Sequence, residues 1–136
     1  MRLAVFDTNV IVSAGLKPGS GPAQLVDWVL AGQLQIVTCP TVIAEYNEVA
    51  SRPRFARYGF PPEWLDLLIK GGLQLPDPTP WPHLLPDESD SPFLALAHAA
   101  GAWLVTGNPK HFPSSARARV TVVPPVDYLA WLGEGV

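Results

Sequence analysis

Three acidic residues stand where short apolar runs give way to helix-forming stretches. Asp7 directly follows Leu3-Ala4-Val5-Phe6. Glu45 lies one turn into the helical segment that succeeds Gln35-Ile36-Val37-Thr38, and Asp90 opens an apolar segment ending near Gly101. A fourth polar group, Thr106-Gly107-Asn108, follows Trp103-Leu104-Val105. If the apolar runs are parallel strands, all of these side chains gather at one sheet edge. Two carboxylates ~4 Å apart repel by roughly 4 kcal/mol at an effective dielectric near 20. Such a cluster must take up a proton, recruit a basic partner or bind a cation. No lysine or arginine adjoins any of the three acids in sequence. Hard oxygen ligands without accompanying His or Cys suit Mg²⁺ or Mn²⁺. Each residue also has a plainer reading: Asp7, Asn9 or Asp90 as a helix cap, and Glu45 as an ordinary helix glutamate a turn before Glu48.

The elements that must position these groups alternate in type. Leu3–Phe6 reads as a strand buried on both faces, and Val10–Leu16 as an apolar helix broken by Lys17-Pro18-Gly19-Ser20-Gly21. Pro22 suits the first turn of a second helix with Leu25, Val26, Val29 and Leu30 on one stripe. A strand over 35–38 precedes a helix from Pro40 to Ser51, and Pro61–Gly71 reads as another helix. Residues 75–86 carry five prolines and read as an extended surface connection. Strands over 103–106 and 120–123 and a short helix over 126–132 close the chain. This alternation predicts an α/β fold, a three-layer α/β/α sandwich with a central parallel sheet, in one domain spanning 1–136. Sheets of this kind bind ligands beyond the carboxyl ends of their strands, at the topological switch point.

Composition narrows the function classes. Nine Lys and Arg against twelve Asp and Glu leave a net charge of −3, unlike a protein that coats nucleic acid through general basicity. Local cations remain available in Arg52, Arg54 and Arg57 and in Lys110, Arg117 and Arg119. The single cysteine, Cys39, allows no internal disulfide, and no run approaches a membrane span. A cytoplasmic protein is expected. His83, His98 and His111 lack zinc-ligand spacing. His111 follows the Thr106 loop and is a candidate substrate contact, whereas His98 reads as a helix-edge residue. The 17–21 loop lacks the order of a phosphate-binding P-loop.

The segments Val5-Phe6-Asp7-Thr8-Asn9, Ile43-Ala44-Glu45-Tyr46, Asp90 through Ala97, and Val105-Thr106-Gly107-Asn108 occur in that order, followed by Pro109-Lys110-His111-Phe112-Pro113. Together they resemble the motifs of the PIN-domain ribonucleases, in particular their VapC-like toxin branch, over nearly the whole chain. The resemblance implies Mg²⁺-dependent hydrolysis of RNA phosphodiesters, with Asp7 and Asp90 as metal ligands and Glu45 as a ligand or water-positioning group. It places Thr106 beside the acidic cluster. Many relatives carry a fourth acid where this chain has Asn108, so a second metal site is expected to be weak or absent. The resemblance also implies a homodimer and an antitoxin partner from a neighbouring gene; Trp28, Phe60 and Trp64 are candidate groove residues for the antitoxin, with core or ordinary surface as the plainer reading of each. Two other readings compete for these residues. A haloacid dehalogenase-type phosphatase would need Asp-x-Asp where Asp7-Thr8-Asn9 stands. A non-catalytic PIN-like module binding RNA or protein would keep the fold without turnover.

Overall fold

A computed structural model describes residues 2–134. Five strands form one sheet in the order β3-β2-β1-β4-β5, with every pairing parallel. In chain order the strands are β1 (Arg2–Phe6), β2 (Leu34–Thr38), β3 (Leu73–Gln74), β4 (Trp103–Val105) and β5 (Val122–Val123). The helices are α1 (Thr8–Leu16), α2 (Gly21–Leu30), α3 (Pro40–Ala50), α4 (Glu63–Gly71), α5 (Ser91–Ala100) and α6 (Pro125–Glu134). The expected α/β/α architecture is present. No helix among the described residues is long and apolar enough to cross a membrane.

β1 is central because its last three residues, Ala4, Val5 and Phe6, are fully buried, as a strand covered by helices on both faces requires. The chain moves outward from β1 to β2 and β3, then returns across the sheet to β4 on the other side of β1. The strand order therefore reverses between β1 and β4. Phe6 pairs with Val105, which sets the two following residues, Asp7 and Thr106, side by side. The Asp7 N–H donates to the Val105 carbonyl at 2.9 Å.

α5 lies over β1, β2 and β4. Five successive residues, Phe93 to Ala97, are buried, more than one stripe of an amphipathic helix supplies. This explains why its sequence is almost wholly apolar. The helix stops at Gly101, whose φ of +63° is the left-handed C-cap conformation that glycine adopts without strain. On the other side α2 touches α1, α4, α6 and β2. Phe60 is core: it packs tilted on Phe55 at 5.4 Å and lies so close to Gly15 that a Cβ there would meet its ring at 2.4 Å. Trp28 and Trp64 are half-buried against the core.

Several element boundaries differ from the sequence expectation. α4 begins at Glu63, not Pro61, because a residue that precedes proline, as Pro61 precedes Pro62, is disfavoured in helical conformation. The extended region after α4 contributes a short edge strand, β3, held by the Leu75 N–H on the Thr38 carbonyl. β5 has two residues rather than four, since the Val120 N–H closes a turn onto the Arg117 carbonyl. Residues 53–58 form a 3-10 turn that the sequence pattern did not announce.

Candidate active site

Asp7 occupies the residue before α1, and Asp90 the residue before α5, yet neither side chain makes a capping hydrogen bond. The capping explanation fails for both. It holds for Asp87, which accepts from the Ser89 N–H at 2.9 Å, and for Ser20, which accepts from the Ala23 N–H at 3.3 Å.

The Asp7 carboxylate, buried to 5% exposure, is instead held across the switch point. Its Oδ2 accepts from the fully buried Thr106 hydroxyl at 2.8 Å and from Asn9 Nδ2 at 3.3 Å. Asn9 Oδ1 accepts from the Gly107 N–H at 2.9 Å, and Thr106 Oγ1 accepts from the Asn108 N–H at 3.1 Å. The exits of β1 and β4 are thus tied by one network. Burial raises the Asp7 pKa, with the Thr106 hydrogen bond opposing the shift.

Glu45 reaches the same place from α3. Its neighbour Tyr46 is fully buried and donates its hydroxyl to the Phe6 carbonyl, which pins α3 to the end of β1. Glu45 then accepts a hydrogen bond from the Thr8 hydroxyl. Its pKa is raised, first by burial, with the Thr8 bond opposing and the Asp7 charge adding to the rise.

Asp90 is the least satisfied member. Its Oδ2 is buried without a hydrogen-bond partner among the described residues. His111 Nδ1 stands 3.5 Å away, beyond good hydrogen-bond length. Burial and the charges of Asp7 and Asp87 push its pKa up to about 6, partly offset by His111. Asp7, Glu45, Asp87, Asp90, Asn108 and His111 line one open cleft of about 370 Å³. The structure therefore gathers all five residues singled out in the sequence: Asp7, Glu45, Asp90 and Asn108 on the cleft wall, and Thr106 directly behind Asp7.

A PIN-domain family model matches residues 3–110. The chain belongs to the PIN-domain family. MJ1680 of Methanocaldococcus jannaschii is 25% identical over 107 residues, covering 76% of this chain and 69% of that protein. In fold the chain is similar to a component of VapBC2 from Rickettsia felis, crystallised on a promoter DNA fragment. The TM-score is 0.63 at 18% identity, covering 90% of this chain and 98% of the other. PAE2754 from Pyrobaculum aerophilum gives 0.60 at 15% identity, over 98% and 96% of the two chains. FitAcB from Neisseria gonorrhoeae gives 0.58 at 16%, over 90% and 98%.

In this PIN domain, no three His, Cys, Asp or Glu side chains among the described residues are close enough together to form a metal-binding group by themselves. A divalent ion still fits the donors present. Mg²⁺ commonly takes only one or two carboxylates and keeps several waters. The buried, unpartnered Oδ2 of Asp90 is an acceptor in need of a cation or a proton. Asp7 raises the pKa of both Asp90 and Glu45, so the three acids feel one another's charge.

Sequence reasoning overlooked two residues. Thr8 orients Glu45, and Asn9, read as a cap, bridges Asp7, Thr106 and Gly107. The available signal was the Asp-x-Asn spacing at a strand end, where a capping role leaves one of the two unexplained. The six basic candidates also separate. Arg52 pairs with Glu48, Arg57 donates to the Tyr58 hydroxyl, and Arg117 braces the Pro109 and Phe112 carbonyls. Arg119 borders a different cleft, and Lys110 stands exposed in the 3-10 turn over 109–111. Among the lysines and arginines of the described residues, only Arg54 lines the acidic cleft. His98 sits on the exposed side of α5 with its ring edge against Trp81.

Proposed function

We propose that this PIN-domain protein is a Mg²⁺- or Mn²⁺-dependent endoribonuclease and the toxin component of a toxin–antitoxin pair. The observation that carries the nuclease reading is the buried, unpartnered Asp90 Oδ2 in the cleft that Asp7 and Glu45 share. In this reading Asp7 and Asp90 are the metal ligands, Glu45 is a ligand or positions the attacking water, and Thr106 and Asn108 complete the site. A bound divalent cation supplies Lewis-acid stabilisation of charge on the scissile phosphate and lowers the pKa of water.

The chain's own groups do the orienting. Thr106 and Asn9 fix the Asp7 rotamer, so one ligand is in place before substrate arrives. Glu45, held by Thr8, accepts a hydrogen bond from a water and directs its oxygen at phosphorus. The new P–O bond forms in line as the P–O3′ bond breaks, leaving 5′-phosphate and 3′-hydroxyl ends. The water's proton passes to Glu45 or solvent, and the departing 3′-oxygen takes its proton from solvent.

The partner reading draws on a neighbour in fold, since VapBC2 is a complex caught on its promoter DNA. An antitoxin encoded beside this chain, a homodimeric assembly and a cytoplasmic location belong to the same proposal. Its test is cleavage of an unstructured RNA. EDTA abolishes cleavage and Mg²⁺ or Mn²⁺ restores it. RNA affinity without turnover in any divalent cation would instead assign a non-catalytic binding module. Expression of the chain alone slows growth of a host cell, and co-expression of the neighbouring gene relieves it; a harmless active nuclease would point to RNA processing.

A further inference from the structure

An acidic cleft in a chain of net charge −3 repels the polyanion it is proposed to cut. A cation at the scissile phosphate answers this at one point only, and a strand crossing the cleft brings neighbouring phosphates with it. The wall facing that strand therefore matters. Residues 53–58 form a 3-10 turn between α3 and α4, which points successive side chains in different directions. Phe55 goes inward, 9% exposed, and packs on Phe60. Arg54 stays exposed, with its guanidinium carbon 4.8 Å from the Phe55 ring centroid, and lines the cleft.

Its neighbours in sequence are committed elsewhere. Arg52 is bound to Glu48 at 2.9 Å, and Arg57 to the Tyr58 hydroxyl at 2.7 Å. Arg54 takes part in none of the ion pairs among the described residues. A guanidinium laid on an aromatic ring keeps its N–H edges free and loses side-chain freedom in advance, both of which favour bidentate contact with phosphate.

We infer that Arg54, seated on Phe55, is the substrate-binding residue of this cleft, taking a backbone phosphate of the single-stranded RNA next to the one that is cut. The inference rests on the nuclease reading for its substrate, but charge recognition can be measured without cleavage. The experiment is fluorescence anisotropy of a short unstructured oligoribonucleotide in EDTA, between 50 and 200 mM salt, with wild type, Arg54→Ala, Arg54→Lys and Arg57→Ala. Loss of one phosphate contact should weaken binding about five- to tenfold and reduce the log–log salt slope by ~0.7 in Arg54→Ala. Arg54→Lys keeps the charge and should restore the slope while recovering part of the affinity. Arg57→Ala should match wild type. With Mg²⁺ present, Arg54→Ala should raise KM and leave kcat near wild type.

Arg54→Ala matching Arg57→Ala in affinity and slope overturns the inference, as does a fall in kcat with KM and slope unchanged. If wild type cleaves nothing yet the Arg54→Ala slope changes as expected, phosphate recognition stands and the nuclease reading falls. If wild type binds no RNA in EDTA at any of these salt concentrations, the inference falls, and the nuclease reading is decided by cleavage with Mg²⁺ alone.

Discussion

The two sides of the cleft are built on opposite rules. At the end of β1, Asp7 is buried and supplied with donors: Thr106 behind it, Asn9 beside it, and backbone N–H groups completing the network on Asn9 and Thr106. At the start of α5, Asp90 keeps one oxygen buried and unpartnered, and the charges of Asp7, Asp87 and Glu45 all act on it. The Asp7 side specifies a geometry and the Asp90 side retains an unmet demand for positive charge. An unpaired buried acceptor costs about 1–3 kcal/mol. Under the proposed function, a rigid Asp7 opposite an unsatisfied Asp90 suits a cation taken up from solution.

The largest predicted effect breaks the comparison outright. Asp7→Asn and Asp90→Asn should each lower RNA cleavage by at least about a hundredfold, while the metal-free proteins melt above wild type because a carboxylate has left a crowded site. Unchanged cleavage in both variants would remove the site assignment. Next comes Thr106→Val, which leaves the shape and deletes the donor to Asp7 Oδ2. Metal affinity or turnover should fall about ten- to a hundredfold, as for other partners that orient a metal ligand. An unaltered Mg²⁺ titration would show that Asp7 needs no bracing.

The pH dependence of metal-free stability sharpens the contrast. Asp90 carries a folded-state pKa near 6 against an ordinary value of 3.8, so folding favours its protonated form. The stability this provides is fully present below about pH 4 and is lost as pH rises through 6. After solvent screening the loss should be of order 1–2 kcal/mol. In thermal melts between pH 4 and 7, Asp90→Asn should flatten that decline and saturating Mg²⁺ should compensate it; an equal decline in the variant assigns the effect to Asp7 or Glu45. The smallest effect concerns Asn108, which offers the cleft a neutral amide where a carboxylate would add charge. Asn108→Asp should lower the Mg²⁺ concentration for half-maximal cleavage and tighten a second site, while destabilising the metal-free protein. Two Mn²⁺ ions already bound with similar affinity by wild type would point to Asp87 or Glu88 as the missing acid.

Much of this was legible before the structure. Asp7, Asp90 and Thr106 follow or precede apolar runs that could only be buried elements, and a parallel sheet brings its strand ends together. Glu45 was legible by position, but what holds it was not. Its placement depends on Tyr46 reaching Phe6, 40 positions away. Asn9 shows the limit most clearly. Locally it is a residue type that begins helices, and its partners Thr106 and Gly107 lie 97 and 98 positions downstream. The two-residue β3 has no periodicity to detect and exists because β2 offers it an edge. Three arginines in the RPRFAR stretch look equivalent in sequence, and only the 3-10 turn assigns one of them to the cleft.

Calorimetric titration of Mn²⁺ into wild type, Asp90→Asn and Asp87→Asn tests the central claim most directly, because it needs neither substrate nor partner. The account predicts one firm site in wild type, taking up metal with release of a proton near pH 6. That site should be lost or weakened by an order of magnitude or more in Asp90→Asn and nearly intact in Asp87→Asn, whose carboxylate is already engaged by Ser89. Equal Mn²⁺ affinity in all three proteins would contradict it.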